Sequence, residues 1–493
     1  MADPTRAVAM IGVDAAELSF IQRHLAVLPR FRELLGRGRL HRLRTTADDL
    51  TGSVWPTFYS GTLPGEHGIY HHLQWDAEAM RIRRVTADWL YAEPFWYQLE
   101  REGLRVATID VPMTFPSRLG RGTEIINWGS HDELGPFRAR PASLEAEIRR
   151  RFGRHPMGSE IPVRKSAAQL EEIRRNLVAG AQRKSELTRW VLEQGPWDFF
   201  LTVFGETHRG GHILWPETES EGEDALLDVY RAVDRAVGEV FDLVQRRFAT
   251  VMLFALHGMG RNCSQEHFMP RIMDRVNAGF VTGNGAATAG APVQVVGRQR
   301  GLVRLLRERV PPAVQNAIAR AVPVAVRDAV VSRQVSGGHD WSRTPGLALL
   351  ADLNGYLRWN LRGRERLGML APGAAEQAGY VEALVGALRD LRTEDGERLV
   401  SDVRFARDDY PGRRSHHLPD AIVRWSGRAP VSRVRSDSLG EIRGEVGTGR
   451  GGNHRFQGFC VVVQSRPDAV EDAEPKHIKD LATRAMASTR ATP

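Results

Sequence analysis

The run "AVAMIGVD", residues 7–14, is apolar for seven positions and then ends in an acid. A strand apolar on both faces belongs inside a sheet that is covered on both sides. Its carboxyl end is where such sheets place their ligands. The same pattern recurs in "LRVATIDV" (104–111), "TEIINWG" (123–129), "WDFFLTVFG" (197–205) and "ATVMLFAL" (249–256), then in "GLALLADL" (346–353), "PDAIVRW" (419–425) and "GFCVVVQ" (458–464). Segments of helical period, such as 92–103 and 222–247, lie between many of them. Alternation of this kind predicts an α/β fold with a mostly parallel central sheet sandwiched by helices. Residues 135–195 and 265–340 fit the alternation poorly and are expected as helical insertions, the second a cap. The expected organisation is therefore one catalytic domain over 1–466 and a polar helical tail over 467–493.

Bulk properties exclude several classes. The 493 residues are 42% hydrophobic and 26% charged, an ordinary globular balance. No apolar run approaches the roughly 20 residues that span a bilayer, so no membrane association is expected. "MADPTRAVAMIGVD" lacks a charged segment leading into an apolar one, so no signal peptide is expected either. Two cysteines, Cys263 and Cys460, cannot form a disulfide framework. The expectation is a cytoplasmic protein. A net charge of +8 invites a nucleic-acid reading, but of 68 basic residues only Lys165, Lys184, Lys476 and Lys479 are lysines. The arginines are scattered through amphipathic stretches, which fits a coding bias better than a phosphate-binding surface. No nucleic-acid partner is expected.

Unusual residues gather at the predicted strand ends. Besides Asp14, the strand at 197–205 runs into "GETHRGGHILW" with His208 and His212, and the strand at 249–256 is followed by His257. His454 sits in the Gly-rich "GRGGNHRFQG" just before the last strand. Imidazole and carboxylate donors are what zinc-like cations take, with a position left open for substrate. Taken singly, each has a plainer reading. A strand-end Asp is commonly an N-cap or turn former, a His-x-x-x-His pair arises by chance among 16 histidines, and Gly210–Gly211 argue against a stable helix presenting that pair. Their coincidence at strand ends favours a metal site.

"DDLTGSVWPTFYSGTLPGEHGI", residues 48–69, poses a different question. It is too interrupted for a helix interior and too polar for a buried strand. Thr51, Ser53, Thr57 and Ser60 all offer hydroxyls, and Gly52 beside Thr51 would admit close backbone approach to a ligand.

With these motifs assembled, the chain resembles the alkaline phosphatase superfamily, in its type I phosphodiesterase/nucleotide pyrophosphatase branch. "IGVDAAE" supplies that family's strand-end Asp as Asp14. Counting back from Ser60-Gly61 ahead of "LPGEHGI" (63–69) lands on Thr51 as its nucleophile and metal ligand. "HRGGH" supplies His208 and His212, "ALHGM" (255–259) supplies His257, and the final loop histidine is His454. "DVPMTFP" (110–116), "HDWSRTPG" (339–346) and "NLRGRERLGML" (360–370) are similar as well. The resemblance implies an alkaline phosphatase-like fold and two divalent ions, zinc expected with manganese or magnesium as alternatives. One ion is held by Asp14, His257 and Thr51, and the other by His208, His212 and His454. It implies hydrolysis of phosphate esters or phosphoanhydrides through a phosphothreonine, with a small phosphate-containing molecule as substrate. A sulfatase would need Cys or Ser in a maturation motif where Thr51 stands.

Two positions depart from the family pattern. His208 stands where an acid is usual, and Leu256 replaces the Asp of the "SDHGM" motif. Three carboxylates against two divalent ions leave about +1 in the family; Asp14 alone leaves about +3. The resemblance with these changes predicts a firm three-histidine site, a weaker Asp14/His257 site and a bias toward more anionic substrates, unless Glu206 or Asp340 restores the balance. A phosphomonoesterase or phosphoryl transferase on the same site is the first alternative. A non-catalytic binding protein on the same fold is the second.

Overall fold

The computed structural model describes residues 7–90, 93–116, 118–158, 165–216, 222–282, 322, 324–446 and 449–463. The expected tail, and most of the expected cap between 283 and 323, lie outside the described residues. The chain divides into two compact units, one of residues 1–72, 86–261 and 449–493, the other of 73–85 and 262–448.

The first unit is built on an eight-stranded sheet. Its order is Arg39–Arg44, Gln457–Val463, Thr250–Ala255, Val8–Val13, Phe199–Phe204, Val106–Ile109, Thr123–Ile126 and Arg138–Arg140. The five strands from Thr250–Ala255 to Thr123–Ile126 are mutually parallel. Gln457–Val463 runs antiparallel to Thr250–Ala255, and Arg138–Arg140 antiparallel to Thr123–Ile126. Val8–Val13, Phe199–Phe204 and Thr250–Ala255 are buried at every position, as continuous apolar strands must be.

Both faces are covered. On one, Ala9, Ile11 and Val13 join Phe200 and Phe204 in a core completed by Leu177, Leu187 and Val191 of helix Ala167–Glu193 and Val233, Val237 and Phe241 of helix Asp224–Val244. Residues 135–195, expected as an insertion, thus contribute an edge strand and a main covering helix. Ser166 and Gln169 cap that helix reciprocally. On the other face, Phe58 packs on Phe254 and Phe95, and Phe95 on Phe199, with ring centroids 5.4–5.8 Å apart.

The second unit carries a four-stranded antiparallel sheet in the order Gly346–Leu349, Gly355–Trp359, Ala421–Trp425 and Val400–Phe405. The apolar runs at 346–353 and 419–425 therefore form strands here, outside the large sheet. An apolar run fixes that a strand is buried, and its partner is set by topology. Helices Met269–Thr282 and Ala375–Asp390 contribute to this unit's core. The "NLRGRERLGML" turn is pinned by buried ion pairs, Arg358 Nε to Glu365 at 2.8 Å and Arg364 Nη1 to Asp420 at 2.6 Å.

Candidate metal centre

The parallel strands deliver their chemistry to one edge. Asp14 follows Val13, helix Glu206–Leu214 begins just after Phe204, and Leu256–His257 follow Ala255. Strand Gln457–Val463 runs the other way with Phe459 opposite Ala255, so the ribbon strand Gly452–Arg455 that precedes it arrives at the same edge with His454. That ribbon pairs Met259 with His454.

Helix Glu206–Leu214 forms despite Gly210–Gly211, correcting the expectation from their propensity. Every residue of the helix is buried, so tertiary packing outweighs it. The glycines are there for space. A Cβ on Gly211 would stand 2.7 Å from Met259 Cγ, and one on Gly210 would touch Leu226 and Val229. One helical turn then puts His208 and His212 on the same face.

Two sets of donors converge within 4.8 Å of one another: His208, His212 and His454, and Asp14, His208 and His257. All five residues are buried. His208 thus belongs to both sets. Its Nδ1 lies 2.7 Å from Asp14 Oδ2, and its Nε2 lies 3.0 Å from His212 Nε2. His212 Nδ1 is 3.0 Å from the Gly452 carbonyl. A carboxylate and a carbonyl only accept, so both Nδ1 atoms carry protons and donate. The two Nε2 atoms then face each other across a gap that suits a cation. This carboxylate–histidine arrangement is how metal-binding imidazoles are oriented. The donor set fits a divalent ion of the zinc type.

Asp14 is fully buried, and its Oδ1 accepts a 3.0 Å bond from Trp55 Nε1. Trp55 lies in helix Val54–Ser60, which continues directly from the turn Thr51–Ser53. Thr51 Oγ1 makes one long hydrogen bond, 3.2 Å to the Ala47 carbonyl. Ser53, the competing hydroxyl, is fully enclosed between the Leu50 carbonyl at 2.5 Å and Thr46 Oγ1 at 2.6 Å. Thr57 is bonded to His67 Nε2 and Ser60 to Thr62, as turn-holding residues are. Burial pushes His67 down to about 3. Gly52 has a nearer reason than ligand approach: a Cβ there would sit 2.5 Å from the Tyr70 carbonyl oxygen.

Glu206, one of the alternative acids, is engaged elsewhere, its Oε1 3.0 Å from His155 Nε2. Asp340 belongs to the second unit, where its Oδ1 accepts from the Ser342 amide. A residue missed in the sequence does stand at the cluster. His131, in the loop after Thr123–Ile126, has its Nδ1 3.1 Å from Asp14 Oδ2 and its ring centroid 3.5 Å from that of His208. Burial, and then His208, hold its pKa well below the ordinary imidazole value. The signal was available, since "INWGSHD" is another apolar run followed by a polar residue at the same edge.

The fold is that of the alkaline phosphatase superfamily, and the edge of convergent imidazoles and carboxylate fits the phosphoester hydrolases within it. More particularly, residues 8–364 match the model of the type I phosphodiesterase/nucleotide pyrophosphatase family, and the chain belongs to that family. Phosphonoacetate hydrolase from Sinorhizobium meliloti 1021, solved with phosphonoformate, is similar at 12% identity and TM-score 0.51 over 98% of this chain and 96% of its own. Murine ectonucleotide pyrophosphatase/phosphodiesterase 5, solved as an inactive variant with AMP, is similar at 10% identity and TM-score 0.50 over 98% and 95%. No curated protein sequence matches the chain. Among the described residues no helix is long and apolar enough to cross a membrane.

Proposed function

We propose that the chain is a metal-dependent hydrolase of phosphodiesters or phosphoanhydrides that works through a phosphothreonine at Thr51. The observation that carries the reading is the pair of donor sets joined through His208, with Thr51 one turn from the tryptophan that bonds Asp14. Zinc is the ion the donors favour, and manganese and magnesium are the alternatives. His208, His212 and His454 would hold one ion, and Asp14 and His257, with Thr51, the other. Bound divalent ions supply Lewis-acid stabilisation of developing negative charge and favour an ionised threonine hydroxyl.

The remaining work belongs to the chain. Thr51 Oγ1 forms a bond to phosphorus, the bond to the leaving oxygen breaks, and the departing alcohol or phosphate takes a proton. Water then cleaves the phosphothreonine and restores the hydroxyl. Helix Val54–Ser60, anchored through Trp55, fixes where the hydroxyl stands. Gly205 and helix Glu206–Leu214 present two imidazoles from a rigid, fully buried element, a requirement for holding charged groups in a productive geometry.

Leu256 favours a second reading. It is fully buried and apolar where the family pattern has a carboxylate, so the centre keeps a surplus positive charge that suits phosphomonoesters, or transfer from them, as well as diesters. Mono-, di- and anhydride substrates offered with Zn²⁺, Mn²⁺ and Mg²⁺ test both. Turnover of diesters or anhydrides supports the first, and turnover of monoesters alone supports the second. Metal uptake without any turnover would leave a binding protein on the same fold.

A further inference from the structure

We propose that His131 is a ligand of the Asp14 site, supplying the donor that Leu256 cannot. The inference rests on the cluster being a metal centre and says which residues make its second half. His131 Nδ1 lies 3.1 Å from Asp14 Oδ2, the oxygen that His208 Nδ1 approaches to 2.7 Å. Two imidazoles thus crowd one carboxylate oxygen, their ring centres 3.5 Å apart. The His131 side chain is only 8% exposed, and its Nδ1 makes no hydrogen bond, not even with the carboxylate beside it. A histidine buried for structure alone satisfies its ring nitrogens with ordinary donors and acceptors. A nitrogen buried beside a carboxylate, without hydrogen-bond geometry toward it, is placed for an ion that both would share.

The loop is built to hold it there. Asp110 accepts hydrogen bonds from the Trp128 and Gly129 amides at 2.7 and 2.8 Å and is itself held by Lys184 Nζ at 2.6 Å. Arg209, next to His208 in the chain, donates to the Ser130 carbonyl at 2.6 Å. Asn127 and Asp132, flanking the loop, are both left-handed, with φ of 56° and 50°. Strain of this kind persists where surrounding contacts over-determine it, commonly at functional sites. Gly129 leaves room for His155, 2.7 Å from where its Cβ would be.

The chemistry follows from donor type. With His131, the Asp14 site has Asp14, His257 and His131 beside the Thr51 hydroxyl, four protein donors with room for substrate to add to them. An imidazole adds a donor without adding charge, so two divalent ions still exceed the single carboxylate by about +3. Nitrogen-rich donor sets suit zinc, iron or cobalt, whereas oxygen donors suit magnesium. Both halves of the centre therefore favour the former over Mg²⁺.

The test uses the full chain stripped of metal and titrated with Zn²⁺ or Co²⁺, with and without inorganic phosphate, alongside His131→Ala and His131→Cys. Circular dichroism checks that the variants fold. The wild type should take up two ions per chain. His131→Ala should bind one as before and the other at least about 100-fold more weakly, more than the loss of a partner behind a ligand. Folded His131→Cys loaded with Co²⁺ should gain a thiolate-to-cobalt charge-transfer band absent from the wild type. Two ions bound by His131→Ala with unchanged affinity, or no new band in folded His131→Cys, would overturn the assignment while leaving the metal centre standing. A wild type that binds no metal would overturn both.

Discussion

His208 and His212 face each other through Nε2 atoms 3.0 Å apart, while Asp14 and the Gly452 carbonyl hold their opposite nitrogens. Protons and metal therefore compete for one gap. Metal binding needs both Nε2 atoms unprotonated, so apparent affinity should fall as the pH drops. Replacing a direct ligand costs more than replacing the partners behind it, which is worth about 10–100-fold. His212→Ala and His454→Ala should each weaken one ion by at least about 100-fold and lose turnover with it. Isothermal titration with Zn²⁺ checks this, and full metal content in both variants would make these histidines structural.

Leu256 offers the converse experiment. Leu256→Asp restores the family's carboxylate beside a surplus of positive charge. A buried, unpaired carboxylate destabilises the metal-free chain, so its melting temperature should fall without metal and recover when metal is added. Affinity at the Asp14 site should rise at least about tenfold, because Coulomb attraction grows as the local dielectric falls. Relative activity should also shift from monoesters toward diesters. A variant whose melting temperature ignores added metal would place position 256 away from the ion.

The loop that presents His131 depends on a buried ion pair. Lys184 and Asp110 are both almost wholly buried, and burial lowers the lysine's pKa despite the attraction of Asp110. Breaking such a pair by removing one partner typically costs about 3–5 kcal/mol. Lys184→Met should lower thermal stability by that order and weaken one metal site as well. Unchanged metal affinity in a folded variant would mean that the loop keeps its place without the pair.

In the second unit, acid should be the weak point. Burial acts to raise the Asp420 pKa, but hydrogen bonds and charge from Arg364, with Arg358 and the Trp359 amide, bring it below its ordinary 3.8. A carboxylate depressed in the folded state stabilises the fold above its unfolded pKa, and that contribution is lost as pH falls through the lower folded value. Thermal melts from pH 7 to pH 2 should show this acid limb flattened in Asp420→Asn, which should also be less stable at pH 7. An identical limb in the variant would assign acid sensitivity elsewhere.

What the sequence disclosed followed the physics of each signal. Asp14, His257 and His454 were legible because polar residues stand out at the ends of apolar runs, and the structure brings all three to one edge. His208 was legible as a donor, but its bridging position was not, because bridging depends on the rotation of helix Glu206–Leu214 against Asp14. His131 went unread because its loop matches no recognised motif, although the strand-end argument applied equally to it. Of the run at 346–353, Gly346–Leu349 forms a strand, yet periodicity carries no information about which sheet it joins.

Ser53 and Thr51 separate structure from chemistry. Ser53→Ala removes a hydroxyl enclosed by two short hydrogen bonds and should cost about 1–3 kcal/mol of stability with little loss of kcat. Thr51→Ala should do the opposite. The decisive measurement is steady-state hydrolysis of a chromogenic phosphodiester and of a dinucleotide anhydride by wild type and Thr51→Ala at matched metal content. The account predicts metal-dependent turnover in the wild type that falls by roughly 10⁴-fold or more in the variant, while its melting temperature and bound metal stay near normal. Turnover retained within a few-fold by Thr51→Ala would contradict it.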